Sequence, residues 1–107
     1  MPPTDSQTLN DVHDALSTGL RRQVVQYLVN AEDDVASVEE LADYLDDQAD
    51  TPTDRERIHL RLHHMALPTL AAKGFIAFDE RNDMVRYREH PVLERELERT
   101  VESTQAA

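Results

Sequence analysis

A mainly helical α+β fold follows from three observations on the sequence. Apolar residues recur at i, i+3, i+4 spacing in five stretches separated by polar turns. Two short β-branched and aromatic runs flank a polar turn, DERND, at residues 79–83. Capping residues, prolines and a glycine stand where helices should begin and end. At 107 residues the chain is about one domain at the usual ~100–200 residues. A chain of this size buries roughly two-thirds of its unfolded surface, which is sufficient for one modest core.

Met1 to Gln7 (MPPTDSQ) and Ser103 to Ala107 (STQAA) lack an apolar period. Residues 1–7 and 103–107 therefore read as disordered ends around a domain spanning residues 8–102. Leu9, Val12 and Leu16 mark a first helix, and Val24, Val25, Leu28 and Val29 a second, with Ser17 or Thr18 as its cap. Ala31 to Asp34 form a polar turn. Ser37-Val38-Glu39-Glu40 is a capping box that opens a third helix with Leu41, Ala42 and Leu45 as its stripe. Asp46 to Pro52 form a polar loop, and Thr53-Asp54-Arg55-Glu56 is a second capping box opening a long helix towards Lys73. Pro68 should kink that helix, since its ring removes one donor and clashes with the carbonyl near His64. Gly74 should stop it in the left-handed conformation. Phe75 to Phe78 and Met84 to Arg88 read as a hairpin. Pro91 then opens a final helix carrying Val92, Leu93, Leu97 and Val101.

Three helices followed directly by a hairpin is the order of a winged helix-turn-helix, here with a C-terminal β-hairpin wing and flanking helices at both ends. An all-helical bundle with an irregular tail is the structural rival, because the hairpin is short.

Three stretches resemble ArsR-like winged-helix regulators. Leu16 to Leu28 (LSTGLRRQVVQYL) is similar to their opening L-S-x-x-x-R-R-x-x-x-x-x-L. Ser37 to Leu45 (SVEELADYL) resembles their positioning helix. Leu67 to Ile76 (LPTLAAKGFI) resembles the H-L-x-x-L-x-x-A-G-L-V segment leading from recognition helix to wing. The His-Leu-Pro variant of that segment, behind a long polar loop, is similar to a family of small haloarchaeal winged-helix domains of uncharacterised function. Ala66 stands here where such relatives carry the His. The resemblance covers about Leu9 to Arg88 and implies a DNA-binding regulator, commonly dimeric; fold alone does not establish that function.

The net charge is −11, and ten of the eleven cations are Arg, with Lys73 the one lysine. Such acidity normally opposes nucleic-acid binding, because phosphate neutralisation supplies most of that affinity. Acid-rich, lysine-poor compositions also mark proteins of extreme halophiles, in which acidity reflects the solvent. The distribution is therefore more informative than the total. Residues 1–54 hold two cations against thirteen acids, a net of −11. Residues 55–88 hold seven cations against four acids, a net of +3, and residues 89–107 carry −3. The long helix and hairpin are the one net-basic segment.

On a wheel of about 100° per residue, Ile58, Leu62 and Met65 face the core. Arg57, Arg61 and His64 flank that stripe on one side, and Arg55, His59 and His63 on the other. Leu60 and Leu67 lie opposite, which implies burial on a second side, within the domain or against a partner. Arg forks suit phosphates and guanine edges, and the N-terminal part of a recognition helix reads bases. The candidate DNA contacts are thus Arg55, Arg57, His59, Arg61, His63 and His64 on the helix, with Arg81, Arg86 and Arg88 on the wing. The wheel leaves open which flank faces DNA. Arg21 and Arg22 are weaker phosphate candidates, and all these arginines could instead pair with surrounding carboxylates.

His59 and His63 share a face at i, i+4, a spacing that can hold a metal, with His64, His13 or His90 to complete a site. No Glu stands between them as H-E-x-x-H requires, and neighbouring arginines repel a cation, so no metal is expected. Zero Cys, two Gly and no nucleophile signature leave no basis for an enzyme or a cofactor. No small-molecule ligand is evident. The absence of a signal peptide or apolar span predicts no membrane contact and a cytoplasmic location. The expected partners are double-stranded DNA and a second copy joined through the terminal helices, whose apolar stripes could otherwise complete the core. The functional rival is an acidic protein–protein module on the same scaffold without DNA affinity.

Overall fold

Helix α1 (Ser6–Ala15) and helix α2 (Gly19–Asn30) meet at a tight corner, where Thr18 Oγ1 accepts the Arg21 N–H at 3.3 Å and caps α2. The structure, a computed structural model, describes residues 6–49 and 54–105. A 3₁₀ turn, Glu32–Asp34, follows, with Asp33 and Asp34 both at φ 58, in the left-handed region that Asp tolerates better than most residues. It leads into β1 (Val35–Ser37), a strand not expected from the sequence, which lies between the polar turn and the capping Ser37 and includes that serine. Helix α3 (Val38–Gln48) begins with the expected capping box. Ser37 Oγ accepts the Glu40 N–H at 3.0 Å, and Glu40 Oε1 accepts the Ser37 N–H at 3.1 Å. Asp46 to Gln48 continue this helix and do not begin the loop as expected.

Thr53, expected to cap the next helix, lies outside the described residues. Asp54 serves as N-cap, its carboxylate accepting the Glu56 N–H at 3.0 Å. The long helix is three pieces: α4 (Arg55–Arg61), a π turn (Leu62–Ala66) and α5 (Leu67–Ala72). Within the π turn the Leu67 N–H reaches back five residues to the Leu62 carbonyl. The interruption expected at Pro68 takes the form of this wider turn, which falls just before the ring.

One extra residue in a turn rotates everything after it. Ile58 and Leu62 are buried as expected, but Met65 is 60% exposed, and Ala66, Leu67 and Leu70 fill the core in its place. Leu60, 53% exposed, does not share a second buried side with Leu67, which is fully buried. The helix ends in the expected manner. Gly74 sits at φ 82, its N–H bonds to the Ala71 carbonyl at 3.0 Å, and the Phe75 N–H bonds to Leu70 at 3.1 Å.

Strands β2 (Ile76–Asp79) and β3 (Met84–Tyr87) form the hairpin, and β1 pairs antiparallel with β3 on its other edge, giving the order β1-β3-β2. Ala36, Val85 and Phe78 lie side by side on the inner face, with Ile76 beside Tyr87. Val35, Arg86 and Ala77 line up on the outer face. The sheet rules out the all-helical rival: the domain is mainly helical α+β.

Helix α6 (Pro91–Gln105) starts at the expected proline, and His90 Nδ1 accepts the Leu93 N–H at 3.2 Å across its first turn. Val101 lies outside the described side chains. Leu93 and Leu97 pack with Val12 and Ala15 of α1, and with Leu16 just after it, in the common core. The terminal helices thus reach past the expected limits of 8 and 102, and their described apolar stripes are mostly spent inside the chain, with Leu9 and Val92 half-buried. Among the described residues no helix is long and apolar enough to cross a membrane.

Candidate nucleic-acid interface

The two basic flanks of the long helix meet different fates. Arg55 and His59, one turn apart on α4, face Glu39 and Asp43, one turn apart on α3. Arg55 Nη2 lies 2.6 Å from Asp43 Oδ1 and 3.1 Å from Glu39 Oε2, while His59 Nε2 lies 3.0 Å from Glu39 Oε1. Hydrogen bonds, foremost the one to Asp43, hold the Arg55 pKa above its ordinary value. His63 extends the same flank. Its Nδ1 lies 3.1 Å from the His59 carbonyl and its Nε2 3.2 Å from Asp83 Oδ1 in the hairpin turn, with its ring 5.9 Å from that of Phe78. Arg55, His59 and His63 therefore fasten the helix to α3 at one end and to the hairpin at the other.

The opposite flank is bare. Arg57, Arg61 and His64 are exposed, and among the described residues none has an ion-pair partner. With Leu60 and Met65 they form one outward stripe along α4 and the π turn. Arg61 also lines the shallow groove between the start of α2 and the end of α3, beside Gly19, Leu20 and Gln23.

Arg81 lies in the hairpin turn two residues before Asp83, so the His63–Asp83 contact holds that turn against the helix. Asp79 organises the turn by accepting the Asn82 Nδ2–H at 2.8 Å and the Asn82 N–H at 3.3 Å. These bonds, the side-chain one first, lower its carboxyl pKa. Arg86 stands exposed on the outer sheet face, and Arg88, also exposed, follows just past the end of β3; the described contacts join neither to the helix stripe.

Other cations have structural work. Arg21 donates to the carbonyls of Asp14 at 2.7 Å and Ala15 at 3.2 Å, and Arg22 to that of Leu16 at 3.3 Å, so both cover the C-terminal end of α1. Lys73 reaches Asp14 at 2.9 Å and Asp11 at 3.4 Å, tying α5 to α1. His13 pairs with Glu96 at 3.4 Å between the terminal helices, and the His90 ring packs edge-on to Phe75.

Glu39, Asp43 and Asp83 were missed in the sequence. The i, i+4 pair of acids on one helix does match the i, i+4 Arg55/His59 pair on the next. That signal needs the inter-helix register before it can be read.

A small α+β domain with one bare basic helix face is the class these elements define. Residues 13–86, more than half of the chain, match the family described as a domain of unknown function (DUF7344), and the chain belongs to it. Comparison with curated proteins and with solved structures returns no match.

Proposed function

We propose that this chain is a DNA-binding transcriptional regulator of a halophilic archaeon, built as an ArsR-like winged helix-turn-helix. In this reading α3 positions α4, the outward stripe of α4 enters the major groove, and the β2–β3 hairpin braces the backbone as the wing. One observation carries it. In a chain of net charge −11, Arg57, Arg61 and His64 stand exposed along one helix side without a carboxylate partner among the described residues. A purely halophilic surface would be expected to pair them, as Arg55 is paired. Arg81, Arg86 and Arg88 also stand exposed on or beside the hairpin, offset in its net charge by Asp79, Glu80 and Asp83. The protein acts in the cytoplasm as a binding module, not an enzyme. As a homodimer it would place two recognition helices about one DNA turn apart. Since the described apolar stripes of α1 and α6 are mostly taken up by the core, pairing through those helices would use their charged outer sides.

Retention of genomic duplex fragments in molar KCl tests the reading, followed by fluorescence anisotropy on a selected duplex. Arg57→Ala/Arg61→Ala should weaken binding by at least about tenfold. Arg55→Ala, already held by Asp43 and Glu39, should change it by less than about threefold. No retained duplex, or equal binding by the double variant, would favour the protein–protein module.

A further inference from the structure

Two large apolar side chains stand on the basic stripe and remain exposed among the described residues, Leu60 at 53% and Met65 at 60%. The other large apolar residues of the same segment, Ile58, Leu62, Leu67 and Leu70, are all buried. Leu60 follows Arg57 by three residues and precedes His64 by four, so it sits within the basic row and beside Arg61. Met65 reaches this side because of the π turn; in an unbroken α-helix its position would line up with Ile58 and Leu62.

The surface therefore asks for a partner that is both anionic and locally apolar. It is also narrow and convex, a single helix side. A helix of about 10–12 Å diameter fits the ~12 Å width of the DNA major groove, where phosphates flank one apolar group, the thymine C5-methyl. We propose that Leu60 and Met65 are specificity-determining residues that pack on thymine methyls in that groove. The inference rests on the DNA-binding reading above and adds the base being recognised.

Deoxyuridine removes that methyl and leaves base pairing, groove hydrogen bonds and phosphates in place. A duplex obtained by sequence selection with the full chain in molar KCl is remade with deoxyuridine at each thymine in turn. Wild type should lose about fourfold in affinity at one or two positions, the worth of one buried methyl-sized group. Leu60→Ala and Met65→Ala, both at exposed positions, should keep the wild-type melting temperature. Each should bind the thymine and deoxyuridine duplexes equally at its own position. Arg57→Ala should weaken both duplexes alike and preserve the discrimination. Equal wild-type binding to thymine and deoxyuridine at every position overturns the inference and leaves the DNA-binding reading standing. Failure to bind any duplex overturns both. Self-association abolished by Leu60→Ala, with no thymine discrimination, overturns it in favour of a second copy on this patch.

Discussion

Tyr87 joins the sheet to the last helix through a single oxygen. Its hydroxyl donates to Glu94 Oε2 at 2.9 Å and accepts the His90 N–H at 2.9 Å, while its ring is buried in the core. Burial pushes the phenol pKa above its ordinary 10.0; the His90 N–H works against that and the Glu94 carboxylate adds to it. A folded pKa raised above the unfolded one contributes stability that is fully present below pH 10. That contribution is lost as pH rises through the folded value, because the unfolded chain gives up the proton first. Tyr87→Phe removes both the titrating group and the acceptor of the His90 N–H, and should cost about 1–3 kcal/mol at neutral pH. Urea unfolding at about pH 8 and pH 10.5 checks this. The gap between wild type and variant should narrow at the higher pH; a constant gap would mean the phenol does not titrate against folding. Lys73, whose pKa is also raised, foremost by its bond to Asp14, loses its contribution at alkaline pH in both proteins and cancels in the comparison.

At the scale of elements, the π turn decides which side chains between Arg55 and Ala72 meet solvent. Its extra residue moves Leu67 into the core and Met65 out of it, the reverse of a regular helix. Met65→Asp should therefore leave stability within about 0.5 kcal/mol, as at an ordinary surface site. Leu67→Ala should cost about 2–5 kcal/mol through the cavity it leaves. Thermal unfolding of the two variants distinguishes the registers, since an unbroken α-helix would make Met65 the costly position. The sequence showed most elements to within a residue or two, because caps and amphipathic spacing are local: the Ser37 box, the Gly74 stop and the Pro91 start all lie where their side chains indicate. What stayed hidden was non-local. Three residues of β1 are too few to show a period, and their partner β3 lies about fifty residues further along. The bare flank of α4 was not legible either, because it is defined by Glu39, Asp43 and Asp83 drawing the other flank inward from other elements.

Over the whole molecule, charge is sorted by place. The front half carries −11, and its two cations are occupied at the end of α1, so its carboxylates repel one another with little internal relief. Lys73 supplies some of that relief from outside, reaching from α5 to Asp11 and Asp14. Arg55 adds more at Glu39 and Asp43, while the exposed Arg57 and Arg61 of α4 pair with none of the described carboxylates. Stability should then rise with salt, since the screening length falls from about 10 Å at 0.1 M to about 3 Å at 1 M. A relief of about 1 kcal/mol would raise the melting temperature by roughly 4–8 °C in a domain of this size. On the proposed DNA-binding function, affinity for duplex should move in the opposite direction. If Arg57, Arg61, Arg81, Arg86 and Arg88 each neutralise a phosphate, log K should fall against log salt with a slope near −4.5, about −0.9 per contact. Melting curves and anisotropy titrations over one KCl series give both slopes from the same protein. A melting temperature indifferent to KCl would mean that the acidic half is not limited by repulsion. Opposite slopes would show that one chain keeps its folding charge and its binding charge apart, the first screened by salt and the second spent against it.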